Sequence, residues 1–284
     1  MKYAAAITLY NPTDEFINNL LGYKKSFPLV IVNDNSKDNT LYKEKLSKVE
    51  GILYFWDGLN YGLPYAFNRS LKICQNDNID FLCTLDQDSR FSKQSISAIK
   101  EFIESNDMTQ VGIVAPTPVD INSEVYSISA KHSKEVKWVI CSGAFVNVDL
   151  LNTHDIKYDE AYFVDRFDAD LCEQIYRAKL KQLLIDGVEM PHACGDVNGH
   201  SPLRNYYIFR NRFYFNDKYY NKVISITRSF FQTIRQCWSL YFSQHDGKVK
   251  AKMLRLAYKD YRRGCMGEIP ADTLEMIKDI TNEA

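Results

Sequence analysis

Two carboxylates one residue apart follow a short apolar run in the first third of the chain. The run at residues 81–85 predicts a buried strand, and Asp86 and Asp88 come directly after it. Ligands bind at the carboxyl ends of strands in α/β sheets. Hard oxygen ligands there suit Mg²⁺ or Mn²⁺, which in turn hold phosphate oxygens. The alternative is a turn that caps the helix predicted from residue 92, and the pair by itself leaves both interpretations open.

Polar side chains also follow earlier strands. The strands predicted up to this point are residues 3–9, 29–33, 52–55 and 81–85, with helical patterns between them. Asp34 follows the second strand and Asn60 lies in the loop after the third. Short alternation of strand and helix predicts an α/β fold with a mostly parallel, Rossmann-like central sheet. We therefore expect Asp34, Asn60 and Asp86 at one edge of that sheet.

The later part of the chain shows a looser pattern. Its predicted elements are a helix near 92–105, strands at 111–114, 124–130, 136–140 and 182–186, a helix from the acidic stretch to about residue 178, and helices from residue 205 onward. The two strands at 124–130 and 136–140 are expected to be antiparallel. The predicted organisation is a catalytic domain at residues 1–203 and a helical, basic C-terminal region at residues 204–284.

Composition narrows the class of protein. The chain has 284 residues, of which 45% are hydrophobic and 25% charged, as in a soluble α/β protein. Seven cysteines without CxxC spacing favour neither a zinc site nor a disulfide framework, and indicate reduced thiols of an intracellular protein. The apolar start is too short for a signal peptide, and no window reaches the roughly 18 apolar residues of a spanning helix.

The net charge of -1 hides a strong asymmetry. Residues 203–263 hold 14 Lys and Arg against three acidic residues, and 15 of the 38 aromatic residues. A basic, aromatic segment beside an acidic body predicts an anionic partner. Since we find no base-reading motif, the sequence does not favour nucleic acid.

Residues 223–242 form an amphipathic helical pattern within that segment. The predicted apolar face consists of Val223, Thr227, Phe230, Phe231, Ile234, Cys237, Trp238 and Tyr241. One interpretation is that this face packs against the catalytic domain. The other is that the helix binds an anionic membrane surface, aided by the basic cluster from Lys248 to Arg263.

Taken in chain order, the short motifs of this sequence resemble those of the family-2 glycosyltransferases of the GT-A fold, and within them the rhamnosyltransferase-like branch. The matching pieces are Tyr10-Asn11-Pro12, Asp34 in VNDNS, Asn60-Tyr61-Gly62, Asn68-Arg69, Asp86-Gln87-Asp88-Ser89, Ser142-Gly143, the acidic stretch FVDRFDADLC, Arg204, Tyr206-Tyr207 and Arg210-Asn211. They cover about residues 3 to 215. The ordered set is fairly specific for the family and only suggestive for the sugar.

The resemblance implies an inverting sugar transfer from a nucleotide-sugar donor, with dTDP-rhamnose favoured. It places the donor against Thr8, Tyr10, Asp34, Asn60, Gly62, Asn68 and Asp86. Asp34 would meet the nucleobase, and Asp88, with Asp86, would hold Mg²⁺ or Mn²⁺ on the diphosphate. In many relatives a histidine near the position of His192 joins the cation or the diphosphate, although a single histidine is more often structural. Helix-capping and tight-turn roles remain the alternatives for Asp34, Asn60 and Gly62.

The resemblance also implies a general base in the acidic stretch. Asp168 fits best, although the chain lacks the usual Glu-Asp pair, so Asp165 and Asp170 remain candidates. A surface acidic cluster that caps the helix is the structural alternative. The implied acceptor contacts are Gly143, Asp165, Arg204, Arg210 and Asn211, for which tight-turn and solvated-helix roles are the alternatives.

The expected acceptor is a glycan or lipid-linked saccharide of cell-surface polysaccharide synthesis. The expected location is cytoplasmic and peripheral, on the inner face of the cell membrane, with homo-oligomerisation left open. A phosphohydrolase of the haloacid-dehalogenase type is a competing class, because it also places Asp-x-Asp after an apolar strand. It would do so on the first strand, whereas three strands precede the pair here. A non-catalytic nucleotide-binding module is the third class.

Overall fold

The computed structural model describes residues 1–120, 128–192, 201–242 and 247–282. The strands are β1 (Tyr3–Leu9), β2 (Leu29–Asp34), β3 (Ile52–Phe55), β4 (Phe81–Asp86), β5 (Val111–Asp120), β6 (Ile128–Glu135), β7 (Ala144–Asn147) and β8 (Lys181–His192). The helices are α1 (Asp14–Tyr23), α2 (Thr40–Leu46), α3 (Gly62–Asn76), α4 (Lys93–Ser105), α5 (Val148–Thr153), α6 (Phe167–Arg177), α7 (Pro202–Tyr219), α8 (Lys222–Phe242), α9 (Gly247–Arg262) and α10 (Ala271–Asn282).

One eight-stranded sheet runs in the order β3-β2-β1-β4-β7-β5-β8-β6. The strands β3, β2, β1 and β4 are parallel, and β7 lies antiparallel between β4 and β5. On the far side β8 is parallel to β5 and antiparallel to β6. Every residue of β1 is buried, as expected of a central strand covered on both faces. The mixed α/β class and the mostly parallel sheet predicted from the sequence are confirmed.

Two details of the later strands differ from the prediction. The strand predicted at 136–140 is wrong: the ladder between β6 and β8 ends at Glu135, and Trp138 is 52% exposed, so the apolar alternation there does not mark a buried face. Residues 121–127, which hold part of the other predicted strand, lie outside the described residues. β5 also continues past Pro116. Proline has no N–H group to donate to the ladder, and a register shift between Pro116 and Thr117 allows strand pairing to resume after it.

The chain divides into two compact units. The first consists of Met1–Asp159 and Asp168–Cys194, and the second of Glu160–Phe167 and Gly195–Ala284. The core of the first lies around β1, β2 and β4 and includes Ile7, Val30 and Phe145. The predicted domain boundary at residue 203 stays a prediction.

The core of the second unit joins α7, α9 and α10. It contains Tyr206, Phe209, Met253 and Ile277 among its buried residues. The carboxylate of the fully buried Asp260 accepts hydrogen bonds from the hydroxyl groups of Tyr206 and Thr273, so this buried charge is compensated.

Candidate active site

The strand register brings two of the predicted carboxylates to one edge of the sheet. β1 lies between β2 and β4, with Leu9 opposite Asp34 on one side and Thr8 opposite Asp86 on the other. Because all three strands are parallel, their carboxyl ends meet at the same edge. Asp34 and Asp86 therefore lie one strand apart from each other, on either side of the end of β1.

Asp34 is held firmly in place. Its carboxylate is 3% exposed and accepts a hydrogen bond from the backbone N–H of Ser36 at 2.9 Å. The side chains of Asn39 and Tyr54 donate to its other oxygen. Burial, together with the hydrogen bond and charge of Asp34, raises the pKa of the Tyr54 hydroxyl, so this group remains a donor at neutral pH. Asn39 and Tyr54 lie outside the predicted site.

A buried hydroxyl lies opposite Asp86 in the β1–β4 register and opposite Asn33 in the β1–β2 register. Thr8 is 5% exposed, and its Oγ1 has no hydrogen-bond partner among the residues that the structure describes. A buried polar group left unpaired costs about 1–3 kcal/mol, so a ligand that bonds to it gains correspondingly. Tyr10, just beyond β1, is exposed, and its backbone N–H donates to Oε1 of Gln87 at 2.9 Å. Contact of Thr8 and Tyr10 with a donor stays a prediction.

A tight turn after β4 fixes the backbone around Asp86 and Asp88. The backbone N–H of Asp86 donates to Ser89 Oγ at 2.9 Å, and the N–H of Ser89 donates to the carbonyl oxygen of Asp86 at 3.1 Å. The Oγ atoms of the buried Ser89 and Ser142 are 2.5 Å apart, which anchors the turn to the segment before β7. Asp86 and Asp88 are both half-buried and thus reachable by a ligand.

Asp86 and Asp168, which lie 82 positions apart in the sequence, both act electrostatically on Cys141. Desolvation raises the pKa of the Cys141 thiol well above its usual range, and the negative charges of Asp86 and Asp168 raise it further. The charge of Asp168 also helps to raise the pKa of the buried Tyr158 hydroxyl. Both carboxylates therefore lie within electrostatic range of one neutral thiol.

The three candidate bases have different surroundings. Asp168 is half-buried in the first turn of α6, and its Oδ1 accepts the N–H of Ala169 at 2.7 Å. Asp170 is fully buried and accepts a hydrogen bond from Nε2 of Gln174 at 2.7 Å. Asp165 belongs to the second unit, where Arg204 Nε lies 3.3 Å from its Oδ1. Asp165 and Asp168 are thus half-buried and Asp170 is fully buried, and the choice of Asp168 as the base stays a prediction.

The metal prediction depends on the turn after β4. Within the described ranges, no three His, Cys, Asp or Glu side chains cluster as a metal site. The side chain of His192 lies outside the described residues. Asp86 and Asp88 alone still fit a cation of the Mg²⁺ type, which is commonly held by one or two carboxylates together with waters and substrate phosphates. Metal binding stays a prediction.

Asn60, Gly62 and Asn68 have clear local roles. Oδ1 of Asn60 accepts the N–H of Gly62 at 3.0 Å, and Gly62 has a φ of 82°, which favours glycine. The side chain of Asn68 bonds both ways to the backbone of Tyr158, at 2.8 and 3.0 Å. Asn68 therefore joins α3 to the segment before α6. Contact of these three residues with a donor remains untested.

Gly143 is required by the packing around β7. Its φ is 76°, and its N–H donates to the carbonyl oxygen of Thr84 at 2.7 Å. A Cβ at this position would overlap the sulfur of Met190 and lie 3.1 Å from Pro116 Cγ. The glycine thus allows a close approach of the backbone, and its predicted acceptor contact stays a prediction.

Arg210 and Asn211 are structural anchors of the second unit. Arg210 is fully buried and donates to the carbonyl oxygens of Cys265 at 3.3 Å and Gly267 at 2.6 Å. The Nδ2 group of Asn211 donates to the carbonyl oxygens of Tyr162, Val164 and Asp165 at 3.0, 2.6 and 3.0 Å. Direct contact with an acceptor would require these bonds to break. Their predicted acceptor role is untested, as is that of Arg204, which pairs with Asp165.

Sequence reasoning missed several residues that shape the site. Tyr54 and Asn39 fix Asp34, Gln87 bonds to Tyr10, and Cys141 lies near two carboxylates. The middle residue of Asp86-Gln87-Asp88 is a local signal that points to Gln87. Tyr54 and Cys141 carry no such signal, because their role depends on strands and loops that are distant in sequence.

Comparisons with known proteins point to one family of enzymes. The family model for Glycosyl transferase family 2 matches residues 8–178. The chain is 23% identical over 234 residues to the dTDP-rhamnosyl transferase RfbF of Shigella flexneri, covering 74% of this chain and 78% of that one.

Solved structures show the same fold. TarS 1–349 of S. aureus superimposes with a TM-score of 0.57 at 16% identity, covering 93% of this chain and 92% of that one. Its complex with UDP-GlcNAc gives 0.56 at 17% identity with the same coverage. GalNAc-T7 with UDP, GalNAc and Mn²⁺ gives 0.54 at 10% identity, over 74% of this chain and 47% of that one. Because the family model spans more than half of the sequence, the chain belongs to Glycosyl transferase family 2.

Proposed function

We propose that this protein is an inverting glycosyltransferase that takes a sugar from a nucleotide-sugar donor, with dTDP-rhamnose favoured. The observation that carries the proposal is the strand register, which holds Asp34 and Asp86 at the carboxyl edge of the sheet on either side of β1. Family membership supports the reaction class. The relative named as a dTDP-rhamnosyl transferase supports the choice of donor.

The reaction is a single displacement. An acceptor hydroxyl oxygen attacks the anomeric carbon, the bond from that carbon to the diphosphate oxygen breaks, and the configuration inverts. The hydroxyl proton passes to the Asp168 carboxylate as general base. A divalent cation held by Asp86 and Asp88 would neutralise charge on the departing diphosphate.

The donor pocket follows from the edge of the sheet. The buried Asp34 is positioned to accept an N–H of the nucleobase, and the Thr8 hydroxyl, which lacks a partner among the described residues, is available to a polar donor group. The Asp34 carboxylate already accepts three hydrogen bonds within the protein, so its orientation is set before a ligand binds. Such preorganisation lowers the entropic cost of binding.

The acceptor is proposed to be a glycan or lipid-linked saccharide of polysaccharide synthesis, met at the inner face of the cell membrane. The excess of Lys and Arg at residues 203–263 supports an anionic surface as the meeting place. The expected acceptor contacts are Gly143, Asp165 and Arg204.

The test uses the purified chain with dTDP-rhamnose, UDP-rhamnose and UDP-GlcNAc. Release of nucleoside diphosphate is measured with and without Mg²⁺, and the anomeric configuration of the product is read by NMR. Asp88→Asn is compared with Asp77→Asn, a matched change at an exposed carboxylate after α3. Turnover of none of the three donors, or equal loss in both variants, would refute the proposal. Hydrolysis of simple phosphomonoesters instead would favour the phosphohydrolase class.

A further inference from the structure

α8 contacts its own unit through polar side chains. Nδ2 of Asn216, on α7, donates to Oγ of Ser229 at 2.9 Å and to Oε1 of Gln232 at 3.0 Å. The buried Ser225 donates from Oγ to Asp217 Oδ1 at 2.8 Å. The inward side of this amphipathic helix is therefore its polar side, the reverse of the usual arrangement.

The opposite side of α8 is apolar and exposed. We call Val223, Ile226, Phe230, Phe231 and Ile234 the outer stripe; their exposed fractions are 75, 59, 59, 64 and 47%. Spacings of three and four residues place most of them along one line of the helix surface. Five large exposed apolar side chains on one helix mark a surface that another molecule covers. The interpretation that this face packs against the catalytic domain stays a prediction.

Exposed basic residues lie on the same helix as the outer stripe and on α9. Arg228 and Arg235 are exposed on α8, and Arg228 lies over the ring of Tyr220 at 4.3 Å. Lys248 and Arg255 of α9 are also exposed. Two copies of such a surface would repel each other, whereas an anionic surface would attract it. Charge complementarity therefore favours a lipid bilayer over a second copy of this chain.

We propose that the outer stripe of α8 docks on an anionic membrane, with the helix axis parallel to the surface. The apolar side chains enter the headgroup boundary, and the neighbouring Arg228 and Arg235 meet lipid phosphates. In the part of the chain that the structure describes, no helix is long and apolar enough to cross a bilayer. The inference deepens the proposed function, since it identifies the helix that brings the enzyme to a lipid-linked acceptor.

Vesicle flotation tests the docking directly. The full chain is mixed with vesicles of phosphatidylcholine alone or with phosphatidylglycerol, beside the double variant Phe230→Gln/Phe231→Gln. Glutamine keeps helix propensity and replaces side chains that are already exposed, so the fold is retained. We expect about a tenfold or larger drop in the partition coefficient on anionic vesicles, from the lost apolar burial. Leu41→Gln, at a 73% exposed leucine of α2, is the matched control and should float like wild type.

Three outcomes would overturn the inference. The first is flotation of the double variant at the wild-type level, and the second is equal binding of the wild type to neutral and anionic vesicles. The third is a wild-type dimer in light scattering that becomes a monomer in the double variant. Arg228→Gln/Arg235→Gln supplies a second variant, expected to weaken anionic binding and its salt dependence. Donor hydrolysis without vesicles is measured on the same samples. A wild type that floats but does not hydrolyse donor refutes the proposed function alone.

Discussion

Asp168→Asn removes a proton acceptor while preserving the size and polarity of the side chain. In the structure, Asp168 Oδ1 accepts the N–H of Ala169, and an asparagine oxygen can keep that bond. The change also removes one of the two negative charges that act on Cys141. We therefore expect the fold and donor binding to persist. A general base contributes about 10²–10⁴-fold, so turnover should fall by that factor, about 2.7–5.5 kcal/mol of activation free energy.

The other two acids act as internal controls. Asp170→Asn alters the fully buried partner of Gln174 and should lower the free energy of unfolding by about 1–3 kcal/mol, with turnover within a few-fold of wild type. Asp165→Asn weakens the partly exposed pair with Arg204, an effect of at most about 1 kcal/mol. The assay compares kcat, KM for dTDP-rhamnose and urea unfolding for all three variants. Asp168→Asn turnover within threefold of wild type would refute the assignment, and a collapse in Asp165→Asn would move the base there.

Three further predictions concern the metal, the nucleobase site and the close approach at β7. Asp88→Asn or EDTA should reduce turnover by about 10²-fold or more with unchanged unfolding, since diphosphate charge is no longer neutralised; full activity in EDTA would contradict this. Tyr54→Phe removes a donor to Asp34 and should cost about 1.5–3 kcal/mol of stability. Because the folded pKa of Tyr54 is raised, that difference should hold below about pH 10 and shrink progressively as the pH rises above that value towards the folded pKa, as pH-dependent urea unfolding would show. Gly143→Ala should cost about 2–4 kcal/mol, from positive φ and overlap with Met190; an unchanged melting temperature would contradict it.

Local pattern was enough to predict the first strands and their polar ends. β1 and β3 have the predicted bounds, and β2 and β4 each extend the predicted run by one residue, to Asp34 and Asp86. The apolar periodicity of a strand is written within a few consecutive residues, so it can be read without knowing the partner strand. Placement of Asp34 and Asp86 at one edge follows from the same pattern, because strands in βαβ units pair in parallel.

Only the tertiary structure decided which distant residues lie near the carboxyl ends of these strands. β7 inserts antiparallel between β4 and β5, and the bend before it brings Cys141 near Asp86 and Asp168. Burial of Arg210 depends on carbonyl groups more than 50 positions away. A residue type reports its chemistry, whereas a contact between distant segments is selected by the packing free energy of the whole chain. For the same reason the amphipathic pattern of α8 was visible in the sequence, but its outward apolar side was not. The partner of a helix face is chosen by the rest of the fold.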